Sequence, residues 1–136
     1  MGRAVLYVAH PLGGDVDGNI KRALRWLEWL RRSFPTVTFI APWIASVMSG
    51  EDDSDPAQRE AGLVDAETIV DRCSGVVLVG GRISSGMMRE SAAARWTSDL
   101  TWLGEEPPVG PHSHSLHGIA ACVQSALEDF DLGGKA

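Results

Sequence analysis

The sequence predicts an α/β domain in which helices cover both faces of a mostly parallel sheet of four or five strands. Short, apolar, β-favouring segments alternate along the chain with segments whose apolar residues recur at helical spacing. In addition, Gly75 to Gly80 (GVVLVG) is almost purely apolar, which is typical of a central strand buried on both faces. The chain has 136 residues, 44% of them hydrophobic, which predicts one domain over residues 1–131 and a flexible tail over 132–136.

The first third of the chain reads as strand, helix, strand. The first predicted strand, Arg3 to Ala9, ends at a His-Pro turn that two glycines follow. Asp17 or Asn19 is expected to cap a helix whose apolar residues recur every three or four positions. These apolar residues are Ile20, Ala23, Leu24, Leu27 and Leu30. A second strand, Thr36 to Ala41, lies between two prolines, and the order strand, helix, strand predicts a parallel pair.

The remaining elements continue this alternation. An acidic loop from Ser49 to Pro56 is expected to be exposed and mobile, because its charge density opposes burial. The predicted elements after it are a helix from about Ala57 to Arg72, the strand over 75–80, a helix over Gly86 to Arg95, a strand over Trp96 to Trp102 and a last helix from about Ser115 to Phe130. This order predicts a flavodoxin-like, three-layer domain.

The charge distribution restricts the class of ligand. The formal net charge is −6, but eight acidic residues and one basic residue lie between Glu51 and Asp71, so this segment alone carries −7. The rest of the chain has eleven basic and ten acidic residues and carries +1. Extended nucleic acid is therefore not an expected partner, because neutralised phosphates supply most of the affinity for it. A single nucleotide remains compatible with the nearly neutral remainder.

The cysteines and the apolar runs indicate a cytoplasmic protein. Two cysteines cannot build a disulfide framework or a four-thiolate zinc site. No apolar run is long enough to span a membrane, and no signal-peptide pattern opens the chain. The spacing of His112, His114 and His117 matches no standard zinc site, so no metal is predicted.

Two glycine-rich loops are the candidate ligand-binding segments. They are His10 to Asp17, after the first strand, and Gly80 to Gly86, after the third. In an open parallel sheet, ligands bind at the carboxyl ends of the strands, close to helix N-termini. Glu90 follows the second loop, so its carboxylate is expected in the first turns of a helix that faces the crevice. Neither loop carries Gly-x-Gly-x-x-Gly, so no nicotinamide or flavin cofactor is predicted.

Four short segments occur in a distinctive order along the chain. They are Leu6-Tyr7-Val8-Ala9-His10-Pro11-Leu12-Gly13-Gly14, then Asn19, then Ala41-Pro42-Trp43, then Ser84-Ser85-Gly86-Met87-Met88-Arg89-Glu90 with Ala94 four residues on. In this order and spacing they resemble the nucleoside 2-deoxyribosyltransferase superfamily, which includes deoxynucleoside 5′-monophosphate N-glycosidases. The resemblance extends from about residue 4 to residue 95.

The resemblance implies cleavage or transfer at the N-glycosidic bond of a nucleoside, deoxynucleoside or 5′-monophosphate. In that family a glutamate attacks the anomeric carbon and forms a glycosyl-enzyme ester, and a tyrosine of the first strand shares the site. Matched by position, these residues are Glu90 and Tyr7. The reaction requires no metal or organic cofactor. A neighbouring subunit completes the site in family members, so a homodimer or a higher homo-oligomer is expected.

The other residues expected to contact the substrate belong to the two loops and their surroundings. They are His10, Pro11, Leu12, Gly13, Gly14, Asn19, Trp43, Asp65, Glu67, Ser84, Ser85, Gly86 and Met87. The cations that are candidates to meet a 5′-phosphate are Lys21, Arg22, Arg82 and Arg89.

Two positions depart from the pattern of the superfamily. Ser84 stands where many members have an aspartate that contacts the base, and Ala66, flanked by Asp65 and Glu67, stands where the family has a second acid. Both departures favour an alternative function, a non-catalytic nucleotide-binding or sensor module of the same fold. A third hypothesis is an interaction protein whose acidic loop, Glu51 to Asp55, meets a basic partner.

Overall fold

A four-stranded parallel sheet forms the centre of the computed structural model, which describes residues 3–109. The elements are β1 (Val5–Ala9), α1 (Val16–Ser33), β2 (Thr38–Ile40), α2 (Pro42–Met48), α3 (Pro56–Asp71), β3 (Gly75–Leu78), α4 (Ser85–Ala93), β4 (Thr97–Asp99) and a 3-10 turn (Thr101–Leu103). The strand order is β2-β1-β3-β4, and every neighbouring pair is parallel. The predicted α/β class with a flavodoxin-like, three-layer arrangement is confirmed.

The side chains of β1 alternate between two hydrophobic cores, one on each face of the sheet. Leu6 and Val8 pack on one face with Trp26 of α1. Tyr7 packs on the other face, in the core that includes Met87 of α4. Successive residues of a strand point to opposite faces, so this register fixes the direction in which Tyr7 points. The Tyr7 side chain therefore lies between the sheet and the helices α3 and α4.

Helix α1 begins earlier than its sequence indicates. Asp15 is the N-cap, and its carboxylate accepts a hydrogen bond from the Gly18 N–H at 3.1 Å. The prediction of Asp17 or Asn19 as the cap is wrong, because both lie inside the helix. Leu24, expected on the apolar face, is 47% exposed. The two tryptophans of α1 take much of the buried face instead, with ring centroids 5.6 Å apart in an edge-to-face contact.

Helix α2 is absent from the sequence prediction, and the outer strands are shorter than predicted. Pro42 occupies the first turn of α2, where its fixed φ and missing N–H fit the helix start. Seven residues are too few to produce a readable helical period. The predicted strand Trp96 to Trp102 is reduced to β4, because Asp99 accepts a hydrogen bond from the Thr101 N–H at 2.9 Å and turns the chain into the 3-10 turn.

The acidic loop between α2 and α3 has a defined hydrogen-bonding pattern. The Asp52 N–H donates to the Gln58 side chain at 2.8 Å, and the Asp55 carboxylate caps α3. Glu51 and Asp53 are half-buried and turn toward the rest of the domain. The expectation that this loop is wholly exposed is therefore wrong for these two acids. Asp53 lies beside Gly13 of the loop after β1, and Glu51 lies beside Gly62 in the middle of α3.

Several predictions concern residues outside the described range. These are the last helix from about 115 to 130, the tail over 132–136 and the three histidines His112, His114 and His117. Within residues 3–109, no helix combines the length and the apolarity that a membrane crossing requires.

Candidate functional site

A cleft of about 370 Å³ opens at the carboxyl ends of β1 and β3. The loops that follow these two strands form part of its wall, and α2, the acidic loop, α3 and the first turns of α4 complete it. Ligand pockets for small molecules span about 300–1,000 Å³, so the cleft has room for a ligand of nucleoside or nucleotide size. It occupies the position at which open parallel sheets bind their ligands.

Glu90 is placed in this cleft by the start of α4. Ser84 caps the helix, and its hydroxyl oxygen accepts a hydrogen bond from the Met87 N–H at 3.3 Å. The helix therefore begins at Ser85, and Glu90 lies in its second turn, facing the sheet. The Glu90 side chain lines the cleft although the residue is only 8% exposed. It is the one buried carboxylate of the described residues.

Tyr7 and Glu90 both line the buried part of the cleft, where each affects the pKa of the other. Tyr7 is fully buried, and within residues 3–109 its hydroxyl has no hydrogen-bond partner at standard geometry. Burial raises the pKa of Tyr7 well above its ordinary value, and the negative charge of Glu90 raises it further. Tyr7 therefore stays protonated and is a hydrogen-bond donor available to Glu90 or to a ligand.

The environment of Glu90 favours its neutral form. Burial, as the largest cause, raises the pKa of Glu90 from 4.5 to about 7. The negative charge of Glu67 acts in the same direction, whereas the Tyr7 hydroxyl lowers the pKa. A carboxyl group with a pKa close to 7 exchanges its proton readily at neutral pH. Such strongly shifted groups in clefts mark candidate functional sites.

Arg89 joins α3 to α4 beside Glu90. Its guanidinium donates to both oxygens of Glu60, at 2.8 and 3.2 Å, and to the Glu67 carboxylate. Glu67 therefore pairs with Arg89 and is also close enough to Glu90 for its negative charge to raise the pKa of Glu90. The two ion pairs fix the turn of α4 that carries Glu90 against α3.

His10 forms part of the cleft wall as a neutral ring. Its Nδ1 lies 2.6 Å from the carbonyl oxygen of Pro11, so Nδ1 carries the proton and donates this hydrogen bond. Its Nε2 is buried and has no hydrogen-bond partner within residues 3–109. Burial is the largest cause that lowers the pKa of His10, and the positive charges of Arg22 and Arg82 lower it further.

Asn19 supports the loop after β1 without lining the cleft. Its Nδ2 donates to the carbonyl oxygens of Leu12 and Gly13, at 2.9 and 3.3 Å, while its Oδ1 accepts from Arg22 at 2.8 Å. Asn19 is buried, so it stabilises the loop from the side that faces away from the cleft. Trp43, in the first turn of α2, supports β1 in a related way, because its indole N–H donates to the Val8 carbonyl oxygen at 2.9 Å.

The structure brings most of the sequence-predicted site residues together. Those that line the cleft are Tyr7, His10, Leu12, Gly13, Trp43, Ser84, Ser85, Gly86, Met87 and Glu90. Those that lie outside its wall are Pro11, Gly14, Asn19, Asp65 and Glu67. On α3 it is Ala66 that faces the cleft, so neither flanking acid supplies a carboxylate to it.

Several lining residues are missing from the sequence prediction. They are Val47, Glu51, Asp53, Arg59, Gly62 and Leu63. The sequence holds a signal for one of them, since Arg59 is the only basic residue in the acidic stretch from Glu51 to Asp71. The others depend on α2, on the path of the acidic loop and on the rotation of α3 about its axis. None of these has a sequence pattern that shows which residues face the cleft.

Only one of the cations that the sequence suggests for a phosphate lines the cleft. Arg22 contacts Asn19 and Asp15, and Arg89 is paired with two glutamates. Lys21 is exposed on α1, away from the cleft. Arg82 lines the cleft, as does the unpredicted Arg59. No group of three metal-ligating side chains occurs in the described part of the chain.

Fold and geometry together define a flavodoxin-like α/β domain with a cleft at the carboxyl edge of its sheet. The chain belongs to the family described as a domain of unknown function, DUF7768, whose model matches residues 4–100. The matched range contains every strand and helix that the structure describes apart from the 3-10 turn. No curated protein and no solved structure shows significant similarity to the chain.

Proposed function

We propose that the protein cleaves or transfers the N-glycosidic bond of a nucleoside, deoxynucleoside or nucleoside 5′-monophosphate. The observation that carries the proposal is the pairing of one buried carboxylate, Glu90, with one buried tyrosine hydroxyl, Tyr7, inside a cleft of nucleoside size. The motifs that contain both residues resemble those of nucleoside 2-deoxyribosyltransferases. In this proposal Glu90 is the nucleophile and Tyr7 is a positioning residue.

The proposed reaction proceeds by double displacement. A Glu90 carboxylate oxygen bonds to the anomeric carbon as the carbon–nitrogen bond breaks, and the bonding electron pair leaves with the base, which takes up a proton. Water or a second base then attacks the anomeric carbon and displaces Glu90 as a carboxylate. With water as the acceptor, one water proton remains on the sugar hydroxyl and the other is released.

The surroundings of Glu90 suit this chemistry. The nucleophile must be ionised, and positive charge that develops on the sugar ring favours the ionised carboxylate within the buried site. The Tyr7 hydroxyl stabilises the same charged form and orients it. Ser84, Ser85 and Gly86 bring hydroxyl groups and backbone N–H groups of the α4 N-terminus to the cleft, where they are able to hold the sugar and a phosphate.

Two features of the cleft favour a second function, a non-catalytic nucleotide-binding or sensor module. Ala66 faces the cleft at the position where the superfamily has its second acid, and Ser84 uses its hydroxyl oxygen to cap α4. Within the described residues, no other buried carboxylate accompanies Glu90. A module of this kind binds nucleotides in the same cleft and releases no base.

The two functions are separated by incubating the protein with a panel of nucleosides and 5′-monophosphates and measuring free base by chromatography. We expect base release by the wild type, loss of release in Glu90→Gln, and full release in the control Asp65→Asn, which changes an exposed acid of the neighbouring helix. Binding without release in the wild type would establish the sensor module and reject the enzyme.

We further propose that the protein acts in the cytoplasm as a homodimer or a higher homo-oligomer. Large apolar side chains are exposed on three neighbouring helices, namely Met48 on α2, Val64 on α3 and Met88 on α4. Exposed apolar side chains on helices that pack against one another fit a contact between copies of the chain. Light scattering of the purified protein tests the oligomeric state, and a monomer at all concentrations would contradict it.

A further inference from the structure

Two carboxylates of the acidic loop, Glu51 and Asp53, line the cleft. Within residues 3–109, neither side chain forms an ion pair or a hydrogen bond. Both residues are half-buried, so their carboxylates have lost part of their contact with water. A carboxylate accepts hydrogen bonds and donates none, so this part of the cleft is complementary to a ligand that supplies donors.

A glycine of α3 makes room for the Glu51 carboxylate. A Cβ at residue 62 would lie 2.5 Å from Glu51 Oε1, so the carboxylate lies against the helix where only glycine leaves space for it. Gly62 and Ala66 are one helical turn apart, and both line the cleft. Neither has a polar side chain, so on this turn of α3 the acceptor group comes from the acidic loop and not from the helix.

His10 is a third acceptor at the cleft without a donor. It lines the cleft and is only 6% exposed, and its Nε2 has no hydrogen-bond partner within residues 3–109. Since Nδ1 donates to the Pro11 carbonyl oxygen, Nε2 is the acceptor of the ring. His10 and Asp53 both belong to the wall at the loop after β1, where Asp53 lies beside Gly13. A buried acceptor of this kind is satisfied by a donor that enters with a ligand.

The donors that match two carboxylates are those of an amino group. The exocyclic amino group of a nucleobase supplies two N–H donors, and acidic side chains accept hydrogen bonds from such a group on cytosine in nucleic-acid recognition. A deaminated base has a carbonyl oxygen at the same position and a single ring N–H beside it. Its carbonyl oxygen would face a carboxylate with no proton between them, which leaves two acceptors unsatisfied.

We propose that Glu51 and Asp53 recognise the base of the substrate through its exocyclic amino group. This inference deepens the proposed function and rests on it for the sugar and for the bond that is cleaved. The substrates are then nucleosides or nucleotides whose base carries an amino group, and their deaminated counterparts are poor substrates. Glu51 and Asp53 determine this specificity and take no part in bond cleavage.

Free bases test the recognition of the amino group independently of catalysis, because they contain no N-glycosidic bond. Adenine is compared with hypoxanthine and cytosine with uracil at pH 7, where each pair differs in the amino group and not in charge. In the pair whose ring size fits the cleft, we expect calorimetry to show that the amino base binds at least about tenfold more tightly. The double variant Glu51→Gln/Asp53→Asn loses this preference, because an amide also donates to a carbonyl oxygen.

Two further variants separate the position of the carboxylates from their charge. Asp52→Asn/Asp55→Asn removes the same charge from the same loop outside the cleft wall, and asparagine still caps α3, so we expect the preference to be retained. Gly62→Ala keeps the charge but displaces the Glu51 carboxylate, so we expect a weaker preference. Alanine favours a helix more than glycine does, so this variant is expected to fold.

Three results would overturn the inference: equal or undetectable binding within both pairs, an unchanged preference in Glu51→Gln/Asp53→Asn, or an equal loss in Asp52→Asn/Asp55→Asn. Base release separates the inference from the proposed function. An equal kcat/KM for amino nucleosides and their deaminated counterparts rejects recognition of the amino group and keeps the enzyme. A preference for amino bases that depends on Glu51 and Asp53, without base release from any nucleoside or monophosphate, rejects the enzyme and keeps the base site.

Discussion

Gly80 lies directly against the imidazole of His10, so that a Cβ at residue 80 would lie 2.7 Å from His10 Cδ2 and 2.8 Å from Nε2. The same Cβ would lie 2.8 Å from Pro11 Cδ. The loops after β1 and β3 therefore touch through a glycine, and this contact helps to set the shape of the cleft wall. Gly80 also has a φ of 105°, in the left-handed region that side chains rarely adopt.

We expect Gly80→Ala to destabilise the protein and to displace His10. The backbone conformation alone costs a non-glycine residue about 1–3 kcal/mol, and the overlap with His10 and Pro11 adds to this. Gly14→Ala is the matched control, since Gly14 has a φ of 94° but no atom within 4 Å of the added Cβ. Urea unfolding measures both variants, and an equal loss of stability would show that the contact with His10 is unimportant.

Glu90→Gln is expected to stabilise the protein at pH 8. The pKa of Glu90 is about 7 in the folded protein and 4.5 ordinarily, so the folded state binds the proton more tightly. The contribution of Glu90 to stability is then greatest below pH 4.5 and declines as the pH rises to about 7. At pH 8 the buried charge costs on the order of 2–3 kcal/mol, which the neutral amide relieves.

The pH dependence of unfolding checks this prediction. The difference in the free energy of unfolding between Glu90→Gln and the wild type is expected to grow from pH 5 to pH 8. The exposed control Asp65→Asn should show no such growth. If this difference in the free energy of unfolding stays constant between pH 5 and pH 8, Glu90 ionises as an ordinary carboxyl group.

The sequence predicts the layers of the fold because each central element carries its own pattern. Strand β3 is a continuous apolar run and helix α1 has a clear helical period, and the order of the strands and helices specifies a parallel sheet. The helix caps and the short elements cannot be predicted from periodicity, because several neighbouring residues are able to play the same local role. Asp15, Asp17 and Asn19 are all capable of capping α1, and only the path of the loop decides among them.

The candidate site is predictable where sequence order alone brings residues to the same edge of the sheet. Tyr7 and Glu90 meet because the carboxyl end of β1 lies beside the helix that follows β3. Arg59 and Ala66 illustrate the limit. Which residue of α3 faces the cleft depends on the rotation of that helix about its axis, and α3 has no clear apolar face from which to read it.

Tyr7→Phe is expected to lower the rate of base release while leaving the fold intact. The phenylalanine ring fills the same buried volume, and the lost hydroxyl has no standard hydrogen bond among the described residues, so stability should change by less than about 1 kcal/mol. Without the hydroxyl, the pKa of Glu90 rises, because Tyr7 favours the ionised form. The acid limb of the pH–rate profile therefore moves to higher pH, with a lower kcat and little change in KM. An unchanged profile would remove Tyr7 from the proposed mechanism.

Glu67 and Arg89 are expected to shift the pKa of Glu90 in opposite directions. Glu67→Gln removes the negative charge that raises the pKa of Glu90, so that pKa falls. Arg89→Gln removes the cation that pairs with Glu67. The negative charge of Glu67 is then uncompensated, so the pKa of Glu90 rises.

Carboxyl ¹³C chemical shifts of labelled glutamate, recorded across the pH range, measure the pKa of Glu90 directly and do not require activity. Glu60→Gln is the matched control, because it breaks the other ion pair of Arg89 and leaves the Glu67 charge in place. If these ion pairs only held α4 in position, all three variants would shift the pKa in the same direction. Shifts of opposite sign in Glu67→Gln and Arg89→Gln, with a small shift in Glu60→Gln, follow only if charge beside Glu90 sets its ionisation.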